Sequence, residues 1–145
     1  MGLFHLAAEL DNASKAGVRR MRRFQHYLEA EMGRALFEEA QHVAETAELN
    51  TWEVFTNPTG ELASQIKPVL LDPYTAAVDF AAPYAARREF GYSGQVDALG
   101  RFYPYDPAHP YAIPALEEHQ AAIEQAMWRA LNNTILDLIT GPLPA

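Results

Sequence analysis

The sequence predicts an α+β fold in which a small antiparallel sheet packs against a long N-terminal helix and a C-terminal amphipathic helix. Three observations carry this. Apolar residues recur at spacings near three and four from about Val18 to Leu49, and again from Leu116 to Ile139, which is the period of a helix with one buried stripe. Between these stretches the β-branched and aromatic runs are short and bracketed by Pro and Gly. At 145 residues, 49% hydrophobic and 21% charged, the chain has the size and composition of one domain spanning 1–145. It carries neither an internal repeat nor a linker.

Taken in order, residues 3–10 predict a short helix with Leu3, Leu6 and Leu10 inward. Asp11-Asn12-Ala13-Ser14 favours turns and caps and is expected to interrupt it, with Gly17 a further weak point. The long helix follows from about Val18 to Leu49, through Met21, Phe24, Leu28, Met32, Val43 and Ala47, and is expected to end at Asn50. Gly33 inside it costs about 1 kcal/mol relative to Ala, so it marks a close contact or a bend. Thr51–Thr56 reads as a short strand or ordered loop, and Asn57-Pro58-Thr59-Gly60 as a turn. Glu61–Lys67 supports about one helical turn, stopped by Pro68. Val69–Leu71 and Ala76–Phe80 then form a hairpin.

Residues 82–116 organise the chain, because only the middle can supply strands and irregular surface. Pro83 ends the second strand, Tyr84–Phe90 suits a short helix, and Gly91 suits its C-terminal cap. Gln95–Tyr103 is ambiguous and could form a second hairpin with its tip near 97–100, whereas Pro104, Pro107 and Pro110 exclude a central strand. Pro114 opens the last helix and Gly141-Pro142 closes it. The aromatics Tyr92, Phe102, Tyr103, Tyr105 and Tyr111 exceed what a solvated loop needs and are expected to anchor an interface. The alternative is that they fold back over the domain's own core.

Chemistry is harder to find. The absence of cysteine removes disulfides, thiolate metal sites and cysteine nucleophiles. Ser14, Ser64 and Ser93 lie outside any nucleophile-elbow context, and there is no Gly-rich phosphate loop. Glu38 or Glu39 with His42, and Glu118 with His119, reproduce no known metal spacing, so neither metal nor cofactor is expected. Arg87-Arg88-Glu89 is the most pointed charge constellation, and its plain reading is a surface ion-pair cluster before Gly91. Asn132-Asn133-Thr134 fits the glycosylation pattern but falls within a helix. Residues 1–9 are too short and too soon charged for a signal peptide, and no apolar run approaches membrane-spanning length. The formal charge of −8 disfavours general nucleic-acid affinity. Lys15, Arg19, Arg20, Arg22 and Arg23 nonetheless gather five of the 11 bases, either as a solvated helix turn or as a basic patch.

Over roughly residues 18–140 the order of motifs resembles the tail-completion, or head–tail joining, family of long-tailed double-stranded DNA bacteriophages. The motifs are the turn Thr59-Gly60-Glu61-Leu62, the segment Tyr84-Ala85 with Glu89-Phe90-Gly91, and the helix start Pro110-Tyr111-Ala112-Ile113-Pro114-Ala115-Leu116. The sequence departs from the family pattern where Gln65 separates Ser64 from Ile66, and in a longer segment between Gly91 and Pro110. The resemblance implies a non-enzymatic virion protein of the phage neck. It would be made in the host bacterial cytoplasm and assembled as a homo-oligomeric ring, a hexamer by expectation, between the head connector or stopper and the tail tube. DNA would pass through the lumen without specific binding. Candidate interface residues are then Arg87, Arg88, Glu89, Tyr92, Phe102, Tyr103, Tyr105 and Tyr111. The alternative is a nucleic-acid-binding module using the basic helix Lys15–Arg23. A small hydrolase centred on Glu89 ranks last.

Overall fold

The computed structural model describes residues 3–56 and 58–141, without the side chains of residues 3–7, Gln95 and Tyr103. The expected orientations of Leu3 and Leu6, the place of Asn57 in its turn and the terminating role of Pro142 lie outside the described residues. The element order is α1 (Leu3–Val54), α2 (Glu61–Ser64), β1 (Ile66–Asp72), β2 (Thr75–Phe80), α3 (Ala85–Phe90), β3 (Tyr92–Val96), β4 (Phe102–Asp106) and α4 (Ala112–Thr140). The α+β architecture read from the sequence is the one observed. A long N-terminal helix and a C-terminal helix pack together with a small antiparallel sheet.

The main correction is that α1 is one unbroken helix of 52 residues, about 78 Å long. The expected interruption at 11–14 does not occur, because Asp11 pairs with Lys15 at 2.6 Å within the same helix face and has no turn to cap. Nor does the helix end at Asn50. The Asn50 amide donates across to the Tyr111 carbonyl (3.0 Å), and the Thr51 hydroxyl donates back to the Glu48 carbonyl (2.7 Å). Thr51–Val54 is therefore a last helical turn and not a strand. A tertiary partner for Asn50 and a bond within the helix for Thr51 override the propensity of these residues to leave a helix.

α4 runs antiparallel to α1. Thr46 meets His119 (2.8 Å), Ala35 packs with Ala126 and Ala130, and Arg20 and Phe24 lie beside Asp137 and Leu138. Alanine dominates this seam. Ala40, Ala44 and Ala47 on α1, with Ala115, Ala126 and Ala130 on α4, are buried, and their small side chains let the two backbones approach closely. The larger core residues Val43, Leu62, Ile66 and Tyr111 gather where α1, α2, β1 and the start of α4 meet.

β1 and β2 form one hairpin in the register Ile66↔Phe80, Pro68↔Val78 and Leu70↔Ala76, with an irregularity between Leu70 and Asp72. Pro68 does not stop a helix as expected, since it lies inside β1, and α2 is shorter than the Glu61–Lys67 turn predicted for it. The ambiguous Gln95–Tyr103 stretch does form a second hairpin, with Tyr92↔Asp106 and Val96↔Phe102 paired. Its tip is tied by Asp97. One carboxylate oxygen of Asp97 accepts the Leu99 and Arg101 amides, each at 2.9 Å, and the other accepts Arg101 Nε at 2.7 Å. These bonds, the Arg101 amide foremost, hold the Asp97 carboxyl below the usual carboxylate range. Pro104 sits within β4. In a two-stranded sheet each strand keeps an unpaired side, so Pro68 and Pro104 need not break a ladder.

The turn of the first hairpin rests on Gly33, as the helix-interior glycine suggested. A Cβ there would lie 3.5 Å from Leu70 Cδ2 and 3.6 Å from Pro73 Cα, which is ordinary contact distance. Gly33→Ala is therefore expected to stabilise the domain by about 0.5–1 kcal/mol through helix propensity, read as a higher urea midpoint. A larger side chain would displace the hairpin, and Gly33→Leu should reverse the sign.

Candidate functional site

The segments that carry the sequence motifs, far apart in the chain, meet at one junction. Gly60 adopts φ 78° beneath the Trp52 indole, whose ring atoms lie 3.1–3.3 Å from where a Cβ would stand. Leu62 follows directly into the core beside Ala85, Tyr111 and Ala115. Gly91 ends α3 at φ 68°, and a Cβ there would come within 2.6 Å of the Ala108 amide nitrogen and 2.8 Å of the Asp106 carbonyl oxygen. Only glycine fits this approach of two backbones. The Arg88 carbonyl then accepts the His109 amide at 2.8 Å, so the returning chain is pinned alongside α3.

Glu89 is the centre of the junction. It is 6% exposed, and its carboxylate accepts the backbone N–H groups of Tyr111 and Ala112 on one oxygen (2.8 and 2.9 Å) and of Ile113 on the other (2.9 Å). These are the donors that the start of α4 leaves without intrahelical partners. The next residue, Pro114, has no N–H to satisfy. A carboxylate from another element thus closes the whole N-terminus, and its charge also complements the positive end of the helix dipole. α4 accordingly begins at Ala112, two residues before the proline expected to open it. The reading of Glu89 as part of a surface ion-pair cluster is corrected, since it is a buried cap.

The other candidates divide. Tyr111 is 1% exposed, with its ring set edge-on against Phe55 (centroids 6.1 Å apart) and Phe80 (5.7 Å), so it is a core anchor and not an exposed interface residue. For this one residue the folding-back alternative is correct. Arg87 and Arg88 both approach Asp106, at 3.6 and 3.2 Å, and Arg87 also stacks over the half-buried Tyr92 ring at 3.8 Å. They hold the base of the β3–β4 hairpin. Phe102 and Tyr105 stand out from that hairpin, 64% and 69% exposed, and the Tyr103 side chain lies outside the described residues. In the basic stretch, Lys15 pairs with Asp11, Arg23 reaches the Tyr27 hydroxyl (3.4 Å), Arg20 borders the end of α4, and Arg19 and Arg22 are exposed. At 3.6 residues per turn Lys15, Arg19, Arg22 and Arg23 share one exposed side of α1, while Arg20 is half-buried and turned away from them.

Burial first, and then the neighbouring Glu89 charge, push the Tyr111 phenol from 10 up to about 12. Below pH 10 the phenol is neutral in both folded and unfolded chains, so its contribution to stability is fully present. Between pH 10 and 12 only the unfolded chain loses the proton. Stability is expected to fall across that window, and the ultraviolet titration of one tyrosine should appear only as the fold is lost. The Tyr111→Phe variant should lack this part of the alkaline decline.

A cleft of about 620 Å³ adjoins the junction, walled by Phe55, Glu61, Tyr84, Arg87, Arg88 and His109. Among the described residues no group of three or more His, Asp or Glu side chains converges to hold a metal ion. Glu38 pairs with Arg34 (2.9 Å), Glu39 with His42 (3.5 Å), and His119 with Thr46. Among the described residues no helix is long and apolar enough to cross a membrane. Compared with family models, with curated proteins and with solved structures, the chain matches none.

Sequence reasoning missed Asp106, which joins both arginines, and the capping role of Glu89. One signal was present for the latter. The start of α4, Tyr111-Ala112-Ile113, lacks the Ser, Thr, Asp or Asn that normally caps a helix, so its donors had to be satisfied from elsewhere.

Proposed function

We propose that this chain is a structural protein of the bacteriophage neck, a subunit of a ring between the head connector or stopper and the tail tube, and not an enzyme. One observation carries the reading. The three motifs through which the sequence resembles the tail-completion family are the parts that make the junction. Gly60 and Leu62, Glu89 and Gly91, and Tyr111 and Ala115 interlock through a cap, a backbone crossing and a shared core. Residues tied in this way are fold-determining, which is what a family signature would record. In the ring the β3–β4 hairpin presents Phe102 and Tyr105 to a neighbouring subunit or ring, held at its base by Asp106 and the two arginines. DNA passes through the lumen without specific binding, in keeping with a net charge of −8 per subunit. The site of action is the virion, and the protein is made in the host bacterial cytoplasm.

A reconstruction of the tailed particle tests this directly. A closed ring of this chain at the head–tail junction is expected, and an isolated monomer or a two-fold dimer in the particle would overturn it. The hairpin has its own test in the double variant Phe102→Ala, Tyr105→Ala. Both rings are exposed, so the thermal midpoint should move by no more than about 3 °C, while joining of heads to tails is lost. A double variant that unfolds would instead make the hairpin part of the domain's own packing.

A further inference from the structure

The N-terminal part of α1 is an exposed helical arm. Residues 8–19 are exposed apart from a half-buried Ala16, and α4 reaches only as far as Arg20. One face of the arm is apolar or small, through Leu10, Ser14, Gly17, Val18 and Met21, with Arg22 on its border. Leu10 and Met21 are about 60% exposed (62% and 58%). An amphipathic helix gains most of its stability by burying such a face, and a segment of this length is marginal alone. Elsewhere on the chain lies a groove of about 400 Å³ between α1, β2 and the start of α4, lined by Leu36, Val43, Val78, Phe80, Leu116 and Ile123. Glu39 also lines it. Glu39 is 9% exposed, its Oε2 accepts no hydrogen bond among the described residues, and His42 Nδ1 stands 3.5 Å from that oxygen. A buried carboxylate with no short hydrogen bond on one oxygen is costly, which favours a cation beside Glu39.

We infer that the arm of one copy docks in this groove of a second copy, with the Val18–Met21 face on the apolar walls and Arg22 donating to Glu39. Charge complementarity selects the occupant. Residues 1–23 carry five bases and two acids, net +3, whereas residues 24–145 carry six bases and seventeen acids, net −11. The arm cannot reach its own groove, because 21 residues of continuous helix hold Val18 about 30 Å from Glu39. An arm-to-groove contact joins two different surfaces and so propagates head to tail, which closes rings when the rotation allows. The inference deepens the ring reading by naming its subunit contact, yet it does not depend on the protein belonging to a phage.

The chain has no cysteine, so introduced thiols report unambiguously. Val18→Cys and Leu116→Cys, both at exposed positions, are placed on separate chains of different mass, mixed at rising concentration and oxidised. The mixed disulfide between positions 18 and 116 is expected to exceed either symmetric adduct at least tenfold. Arg22→Glu in the first chain should cut its yield at least tenfold with an unchanged thermal midpoint. Predominance of the symmetric adduct through position 18 would mean that arms pair with arms and would overturn the inference. So would the absence of any adduct up to millimolar concentration, or indifference to Arg22→Glu. Light scattering on the cross-linked product separates this from the neck reading. A closed ring supports both, whereas a two-fold dimer with reciprocally exchanged arms keeps the docking and removes the ring.

Discussion

Glu89→Ala is expected to destabilise the domain by about 3–5 kcal/mol, a large share of the roughly 5–15 kcal/mol that holds a typical domain folded. The variant removes the acceptor of three short backbone hydrogen bonds at once. The Tyr111 amide is buried, so water cannot replace the carboxylate freely. Bonds to a charged acceptor are among the strongest in proteins, and the three are not additive because they share one side chain. Glu89→Gln should lie between, since the carboxamide keeps one acceptor oxygen and turns an NH₂ group toward a donor. Urea unfolding reads the effect as a lower midpoint at constant slope, and hydrogen exchange should speed up first at the amides of 111–113. A loss below about 1 kcal/mol would show that the end of α4 is satisfied by other means.

Tyr111→Ala is expected to cost a similar amount, about 3–5 kcal/mol, through the cavity left between Phe55 and Phe80. Tyr111 is the only side chain of its size among the described residues that is essentially fully buried, in a core otherwise rich in alanine. Surrounding alanines cannot move in to fill the space, so the site collapses poorly. Combined with Glu89→Ala the effects should sum to less than their total, because the cap and the ring hold the same residue. Full additivity in a double-mutant cycle would separate the two roles. The Phe102→Ala, Tyr105→Ala pair makes the contrast, removing two aromatic rings from the surface with little change in stability.

Much of the architecture was legible in the residues themselves. The spacing of apolar positions in 18–49 and 116–139 marked two helices, and Val69–Leu71 with Ala76–Phe80 marked the first hairpin. These are local properties, in which periodicity marks the element. Gly91 as the end of α3 and Gly33 as a point of close approach were also readable, because glycine is costly wherever its freedom is not used. The misreadings share one cause. Asp11, Asn50, Thr51 and Pro68 each have an intrinsic preference for breaking or leaving a regular element, and in each case the surroundings prevailed. Those surroundings were an ion pair along the helix, a bond to Tyr111, a bond back to Glu48, and the open side of a two-stranded sheet.

The sequence alone therefore determined the fold class, the existence of the two helices and the candidate residues, since each depends on neighbours a few positions away. It did not determine the faces those helices bury: Val18, Met21, Leu116 and Ile139 of the expected stripes are exposed, and Ala115, Ala126, Ala130 and Thr134 are the buried positions of α4. Only the tertiary structure decided what the candidate residues do. It turned Glu89 from a surface charge into the cap of a helix that starts 23 residues later, made Tyr111 a core anchor while leaving Phe102 and Tyr105 outside, and set Glu39 beside an apolar groove with His42 3.5 Å away and no hydrogen bond on its Oε2. The physical reason is that a carboxylate's role is set by the donors and solvent within about 3 Å of its oxygens. Those partners are brought together by long-range chain crossings that no local pattern encodes.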